Sequence, residues 1–307
     1  MIEFLKAILF GIVEGITEWL PVSSTGHMIL LDEFVKLRVS AEFYEMFQVV
    51  IQLGAILAVI LLFWNKLYPF GKKKTPQQKK NTWQLWFKVV VAVLPSAVIG
   101  LVLDDWMDAH LYNYIVVAIM LIVYGVAFIL MEKNRQKSGA MGALPNGRNS
   151  DLSEWPRSVS DAAAPSARRA PGTATEDVYA IDYKTAILIG AFQCLALIPG
   201  TSRSGATILG ALVLGVARPA GAEFSFFLAI PTMLGASALK LLKFLLSGVE
   251  ATGTEVGILA IGTVVSFVVS LAAIKALMGY VRKHSFSVFG IYRIVLGIAV
   301  LAYFLIK

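Results

Sequence analysis

The chain has 307 residues, 57% of them hydrophobic and 15% charged, with a formal net charge of +7 and a mean hydropathy of +0.73. Soluble domains are about 45–50% apolar and about 25% charged, so a single oily core does not account for this composition, and collagen-like, disulfide-rich and wholly disordered classes are excluded. The cations lie in short stretches between apolar segments, a pattern favoured by anionic lipid headgroups and the positive-inside rule; the expectation is a membrane protein in contact with lipid, with no nucleic acid as partner.

In chain order, the first apolar segment, 7–31, is interrupted midway by Pro, Ser, Thr and Gly. Its opening run is broken by Glu14 and has no small-residue cleavage site, so no leader peptide is expected. Interrupted helices occur at membrane depth only when buried in protein or lining a polar cavity, and the segment is read as a re-entrant helical hairpin. Apolar runs follow at 47–64, 89–103 (extended backwards through Trp83) and 114–131. About 20 residues cross the hydrocarbon, fewer where polar flanks snorkel. Residues 138–181 are rich in Pro, Ala, Ser and Arg and lack periodicity. They cannot bury enough apolar surface to offset their ordering entropy and are read as a disordered loop. A second interrupted segment, 186–216, predicts a second hairpin, and runs at 222–246, 256–277 and 288–306 bring the spans to six. Cys194 is the single cysteine and cannot form an internal disulfide.

The segments on either side of the loop resemble each other. AILFGIVEGITEWLPVSSTGHMIL from Ala7 aligns without a gap with AILIGAFQCLALIPGTSRSGATIL from Ala186, and AEFYEMFQVVIQLGA from Ala41 with AEFSFFLAIPTMLGA from Ala222. Two blocks in the same order argue for duplication, with 1–137 the first repeat, 138–181 a disordered cytoplasmic loop and 182–307 the second repeat. Loop charges orient them. Lys72, Lys73, Lys74, Lys79 and Lys80 mark a cytoplasmic loop, a turn at 104–110 with Asp104, Asp105 and Asp108 faces outside, and Arg282, Lys283 and His284 return to the cytoplasm. Every loop then falls on its preferred side if the first hairpin enters from outside and the second from inside. The predicted fold is all-α and polytopic, about six transmembrane helices plus two re-entrant hairpins in two inverted repeats, with the functional site where the broken helices meet.

The first hairpin carries Glu14 and Glu18, spaced four apart and so on one helical face. Carboxylates in membrane segments are costly and usually functional. With no Lys or Arg nearby in sequence, the pair suggests a divalent cation, Mg²⁺ or Ca²⁺, both of which take oxygen ligands. A shared proton, or an arginine from another helix, is the alternative. Pro21 stops the helix, and Ser23, Ser24, Thr25 and Gly26 follow. Such a hydroxyl-rich turn presents backbone N–H groups to an anion such as phosphate, although Ser and Thr also serve simply as small packing residues. His27, three residues after Ser24, is a candidate acid, base or nucleophile. The second hairpin repeats the turn as Pro199-Gly200-Thr201-Ser202-Arg203-Ser204-Gly205-Ala206-Thr207, with an arginine whose planar fork matches phosphate oxygens. Arg203 could instead pair with Glu14 or Glu18 across the interface, and the two readings are compatible if substrate enters between them. The combination suits hydrolysis of a phosphate ester or anhydride on a lipid-soluble molecule.

EGITEWLPVSSTGH and PGTSRSGAT resemble the two signatures of the bacterial undecaprenyl-diphosphate phosphatases of the bacitracin-resistance type, and the likeness extends to both AEF–LGA blocks and the stretch at 291–293. The 138–181 loop is longer than the connection between halves that the resemblance leads one to expect. The resemblance implies removal of the terminal phosphate from a C55 isoprenoid diphosphate, a divalent-cation requirement, a site at the outer face of the bacterial plasma membrane, and a homodimer. It implies an acidic pair at Glu14 and Glu18, a hydroxyl–histidine pair at Ser24 and His27, and a phosphate loop of Ser202, Arg203, Ser204 and Thr207. The mechanism expected has Ser24 attacking phosphorus, His27 or Glu18 taking its proton and Arg203 stabilising charge, with His27 as direct nucleophile the rival. A transporter of a phosphorylated isoprenoid lipid is the competing function, because inverted repeats with broken helices are also a transporter architecture.

Overall fold

The computed structural model describes residues 1–111, 113–137 and 174–306. The helices are α1 (Ile2–Thr17), α2 (Ser24–Phe34), α3 (Ala41–Val50), α4 (Gln52–Leu62), α5 (Trp64–Leu67), α6 (Pro76–Leu111), α7 (Tyr114–Lys137), α8 (Tyr183–Cys194), α9 (Arg203–Val213), α10 (Arg218–Leu246), α11 (Gly253–Val281) and α12 (Ser287–Ile306). Among the described residues there is no strand, and the one isolated bridge joins Thr175 to Val216. Six stretches are long and apolar enough to cross a bilayer: Ala41–Leu62, Pro76–Leu103, Tyr114–Gln136, Arg218–Leu246, Gly253–Val281 and Ser287–Ile306. The protein is therefore all-helical and multi-pass. α1, α2, α8 and α9 have 16, 11, 12 and 11 residues, too few at about 1.5 Å each to traverse about 30 Å of hydrocarbon.

Two boundaries differ from expectation. Residues 104–110 are not a turn, because α6 continues to Leu111. No Pro or Gly interrupts that stretch, and charge alone does not end a helix whose backbone bonds remain made. Residues 174–181, assigned from composition to the disordered loop, are packed: Val178 and Ile181 are buried, and Thr175 and Ala217 exchange backbone bonds with Gly215 and Thr175. The Tyr179 hydroxyl donates to the Lys66 carbonyl at 3.0 Å, and burial pushes its pKa up. The rest of the expected loop, 138–173, lies outside the described residues.

The packing pairs helices from the two halves. α1 lies against α11, α8 against α6, and α7 against α12. These contacts need glycine. A Cβ on Gly125 would fall 2.6 Å from the Gly290 carbonyl oxygen, and one on Gly290 would fall 2.7 Å from that of Gly125. Gly11 and Gly190, equivalent in the internal alignment, do the same for α1 and α8, with carbonyl oxygens of Gly262 at 2.6 Å and Ala92 at 2.0 Å. Small residues at such crossings let backbones approach, and dispersion then holds helices together where lipid offers no hydrophobic drive. Gly190→Ala is accordingly expected to destabilise the detergent-solubilised protein by about 1–3 kcal/mol, the usual overpacking range. Thermal unfolding against wild type measures it, and an unshifted midpoint would mean that α6 steps back without penalty.

Two carboxylates inside the bundle are matched by cations. Glu132 is fully buried and takes both Arg218 Nε (2.9 Å) and Nη2 (2.5 Å), and its Oε1 also accepts from the Phe286 N–H at 3.0 Å. One carboxylate thus joins α7, α10 and the start of α12. Lys66 and Glu223 pair at 2.6 Å. Prolines inside α6 (Pro95) and α10 (Pro231) free backbone carbonyls. Beside them Gln193 donates to the Ser96 and Thr232 hydroxyls at 2.6 and 3.2 Å.

Candidate functional site

Two tight turns form the centre. In the first, α1 ends at Thr17, whose hydroxyl bonds the Val13 carbonyl at 2.7 Å. Glu18 continues in helical geometry, with its N–H on the Glu14 carbonyl, so the two carboxylates keep their i,i+4 relation. Ser23 then takes φ 74° and caps α2, its hydroxyl accepting from the Gly26 N–H at 3.3 Å. In the second turn Ser202 takes φ 72° and caps α9, its hydroxyl accepting from the Gly205 N–H at 3.1 Å. These serines are the only non-glycine residues with positive φ among those described, and they are equivalents in the internal alignment. Left-handed backbone at a side-chain-bearing residue costs of order 1–3 kcal/mol and concentrates at functional sites. Gly200 precedes the second turn at φ 90°, where a Cβ would lie 2.5 Å from the Val117 carbonyl oxygen.

The turns bring together groups distant in sequence. Ser24 Oγ donates to Glu18 Oε2 at 2.8 Å, and Arg203 Nη2 donates to Glu18 Oε1 at 2.9 Å. A hydroxyl, a carboxylate and a guanidinium are thus connected in line. Arg203 Nη1 donates to the Ser225 carbonyl at 2.8 Å, and its guanidinium lies 5.7 Å over the Trp19 ring. The Ser225 hydroxyl meets Thr207 Oγ1 at 2.7 Å, and Ser204 Oγ reaches the carbonyls of Glu18 at 3.0 Å and Leu20 at 3.2 Å. Ser204 and Thr207, expected at the phosphate, therefore make their bonds to protein and brace the turn. Ser202 Oγ is shared between the Gly205 N–H and Ser204. Thr25 and Gly26 lie in the first turn of α2.

The described hydrogen bonds of His27 go to residues other than Ser24. Its Nδ1 lies 2.7 Å from the Ser23 carbonyl, which can only accept, so Nδ1 carries the proton in this contact. Nε2 faces the Tyr292 hydroxyl at 2.7 Å, and the two rings are stacked. The near carboxylate, not the imidazole, holds the Ser24 proton.

Buried polar atoms without a hydrogen-bond partner gather here: Glu14 Oε1, Trp19 Nε1, Thr201 Oγ1 and Arg203 Nε. An unsatisfied buried group costs about 1–3 kcal/mol, and these four lie near the end of α1, in the two connections and at the first residue of α9, leaving unmet capacity for a polar ligand there. Among the described residues no three His, Cys, Asp or Glu side chains cluster closely enough to hold a metal alone. Of the two carboxylates expected there, Glu14 has an orphaned Oε1, whereas Glu18 has Oε2 bonded to Ser24 and Oε1 to Arg203.

Tyr292, Arg293, Ser225 and Trp19 were absent from the residues expected at the site. Arg293 had a signal, since a cation within an apolar span is functional by default. Ser225 and Trp19 had none, because their roles arise from long-range packing.

Fold and site together define a multi-pass, all-helical membrane protein with a linked hydroxyl, carboxylate and guanidinium between two strained turns. The family described as bacitracin resistance protein BacA matches residues 7–299, and the chain belongs to that family. It is 55% identical to an undecaprenyl-diphosphatase of Enterococcus faecalis, over 98% of this chain and 96% of that protein. Proteins of the same name from Acetivibrio thermocellus and Limosilactobacillus fermentum are 53% and 52% identical, each over 99% of this chain and over 99% and 98% of their own lengths.

Proposed function

We propose that this protein is an integral-membrane phosphatase that hydrolyses undecaprenyl diphosphate to undecaprenyl phosphate and inorganic phosphate, returning the carrier lipid to peptidoglycan synthesis. The observation that carries this reading is the Ser24–Glu18–Arg203 chain at 2.8 and 2.9 Å. Holding a phosphorylated headgroup for transport needs cations and N–H donors only. A hydroxyl bonded to a carboxylate is equipment for covalent chemistry. The activity named for the relatives agrees with it, and bacitracin resistance is the corresponding expectation for the cell.

In the mechanism, the terminal phosphate enters beside Arg203 and takes over the guanidinium from Glu18. The Arg203–Glu18 pair keeps the fork oriented until then, so little reorganisation is needed on binding. Released from that pair, Glu18 accepts the Ser24 proton as Oγ attacks the terminal phosphorus. The bond from that phosphorus to the bridging oxygen breaks, and undecaprenyl phosphate departs. Glu18 has by then passed the first proton to the departing undecaprenyl phosphate, so its carboxylate takes one from the water that attacks phosphoserine and returns it to Ser24 Oγ as inorganic phosphate leaves. Mass spectrometry of acid-quenched enzyme is expected to find phosphate on Ser24. Phosphate on His27 would overturn this route.

Glu14 and Glu18 are the residues that would hold a divalent cation, Mg²⁺ or Ca²⁺, and the group would supply charge neutralisation on the diphosphate. The two carboxylates provide too few ligands for tight binding alone. Chelator is therefore expected to abolish phosphate release, and calorimetry should find cation binding strengthened at least about tenfold by a lipid methylenediphosphonate, since substrate oxygens complete the shell. Release that persists in chelator would remove the cation from the account.

For location, the reading is the bacterial plasma membrane with the site facing outside. It is supported by the lysines at 72–80 and by Arg282 and Lys283, which mark cytoplasmic loops. The inverted arrangement of the two halves is supported by their matched turns and reciprocal glycine crossings. A homodimer rests on the family resemblance alone.

A further inference from the structure

Arg293 sits in an apolar span and is fully buried, and no acidic side chain is among its described partners. An arginine at such a place is costly to insert into hydrocarbon, so something in the protein must compensate it. The compensation comes from backbone carbonyls. Nη2 donates to Gly200 and Thr201, both at 2.8 Å, and Nη1 donates to Pro21 at 3.2 Å. Longer contacts reach Met120 at 3.4 Å and Leu121 at 3.5 Å on α7. Pro21 belongs to the turn between α1 and α2, and Gly200 and Thr201 to the turn between α8 and α9. Gly205 makes room beneath, since a Cβ there would stand 2.9 Å from Arg293 Nη1.

We propose that Arg293 is a positioning residue that locks the two turns together, so that Glu18 and Ser24 from one meet Arg203 from the other. Bonds from a charged donor to a carbonyl are stronger than neutral ones, and the planar fork is what lets one side chain serve two turns at once. Touching no substrate, Arg293 acts only through the geometry of residues that do. Lysine keeps the charge and loses the fork, so it separates the two properties.

The inference rests on the phosphatase reading for its kinetic arm and is independent of it in the other. Arg293→Lys and Arg293→Gln would be purified, and phosphate release from an isoprenyl diphosphate measured per folded molecule. Amide hydrogen exchange would be followed by mass spectrometry across the whole chain. For Arg293→Lys we expect kcat to fall about ten- to a hundredfold, the scale of a misplaced catalytic group, with KM within about threefold of wild type. Exchange should rise at least about tenfold in residues 19–26 and 198–205 and stay unchanged in the spans. Turns that exchange as in wild type overturn the proposal. So does exchange that rises along the entire chain, or failure of both variants to yield folded protein, since either makes Arg293 part of general stability. A rise in KM with kcat unchanged also overturns it. Wild-type protein that releases no phosphate sinks the phosphatase reading instead, and the exchange of the two turns still decides the role of Arg293.

Discussion

Arg203→Lys is expected to lower kcat by at least about a hundredfold, the effect of removing one preorganised donor from a developing anion. The guanidinium is held from both sides, by Glu18 Oε1 at 2.9 Å and by the Ser225 carbonyl at 2.8 Å, with Trp19 beneath it. Its remaining buried donor, Nε, has no protein partner. A lysine ammonium is a point charge and cannot keep Glu18 and Ser225 while offering a second donor to phosphate. The effect should appear in binding as well as in turnover, because the same fork meets the substrate in the ground state. Phosphate release and the affinity for a lipid methylenediphosphonate measure the two parts. A lysine variant within tenfold of wild type in both would show that charge alone suffices and that the fork has no role.

Glu18→Gln is the second large effect. Glutamine is close to isosteric and preserves a hydrogen bond to Ser24, yet it cannot take the Ser24 proton. General-base removal lowers rates by about 10²–10⁴-fold. Arg203 also loses its counter-charge, so without divalent cation the variant should bind the diphosphonate at least as well as wild type, while with saturating cation it turns over far more slowly. That split is diagnostic, because general damage to the site would weaken both. Glu14→Gln should behave differently. Glu14 does not contact Ser24 through any described bond, and its Oε1 is one of the atoms without a partner. Its replacement is expected to raise the Mg²⁺ concentration needed for half-maximal activity at least about tenfold, as a lost carboxylate ligand would, with a smaller change in kcat at saturating cation. Equal losses of kcat in the two variants would contradict this division of labour.

The spans were legible because lipid imposes a length and a polarity that no loop in this chain imitates. The core of each turn was legible as well: Pro21 and Pro199 stop helices, and serine followed three residues later by glycine sets a cap. What sequence could not supply was direction. His27 lies three positions after Ser24, but helix geometry at the start of α2 turns its ring to Ser23 and Tyr292. Glu18, six positions before Ser24, is the residue that reaches it, because the strained Ser23 folds the chain back. Arg293 stands 272 residues from Pro21 and 93 from Gly200. No spacing rule reaches that far. The loop edge was misplaced for a related reason, since Val178 and Ile181 look like loop residues until the core around Lys66 and α10 covers them. Composition reports how much apolar surface a segment carries, and tertiary packing decides whether a small amount is enough.

The most direct test of the account is to supply purified wild-type protein with an isoprenyl diphosphate and Mg²⁺ and to identify both products. The prediction is one inorganic phosphate for each isoprenyl monophosphate formed, at a rate lost in Ser24→Ala. Folded protein that binds the lipid diphosphate and leaves it intact under every divalent cation would contradict the phosphatase, and would make the Ser24–Glu18–Arg203 chain a binding site for transport.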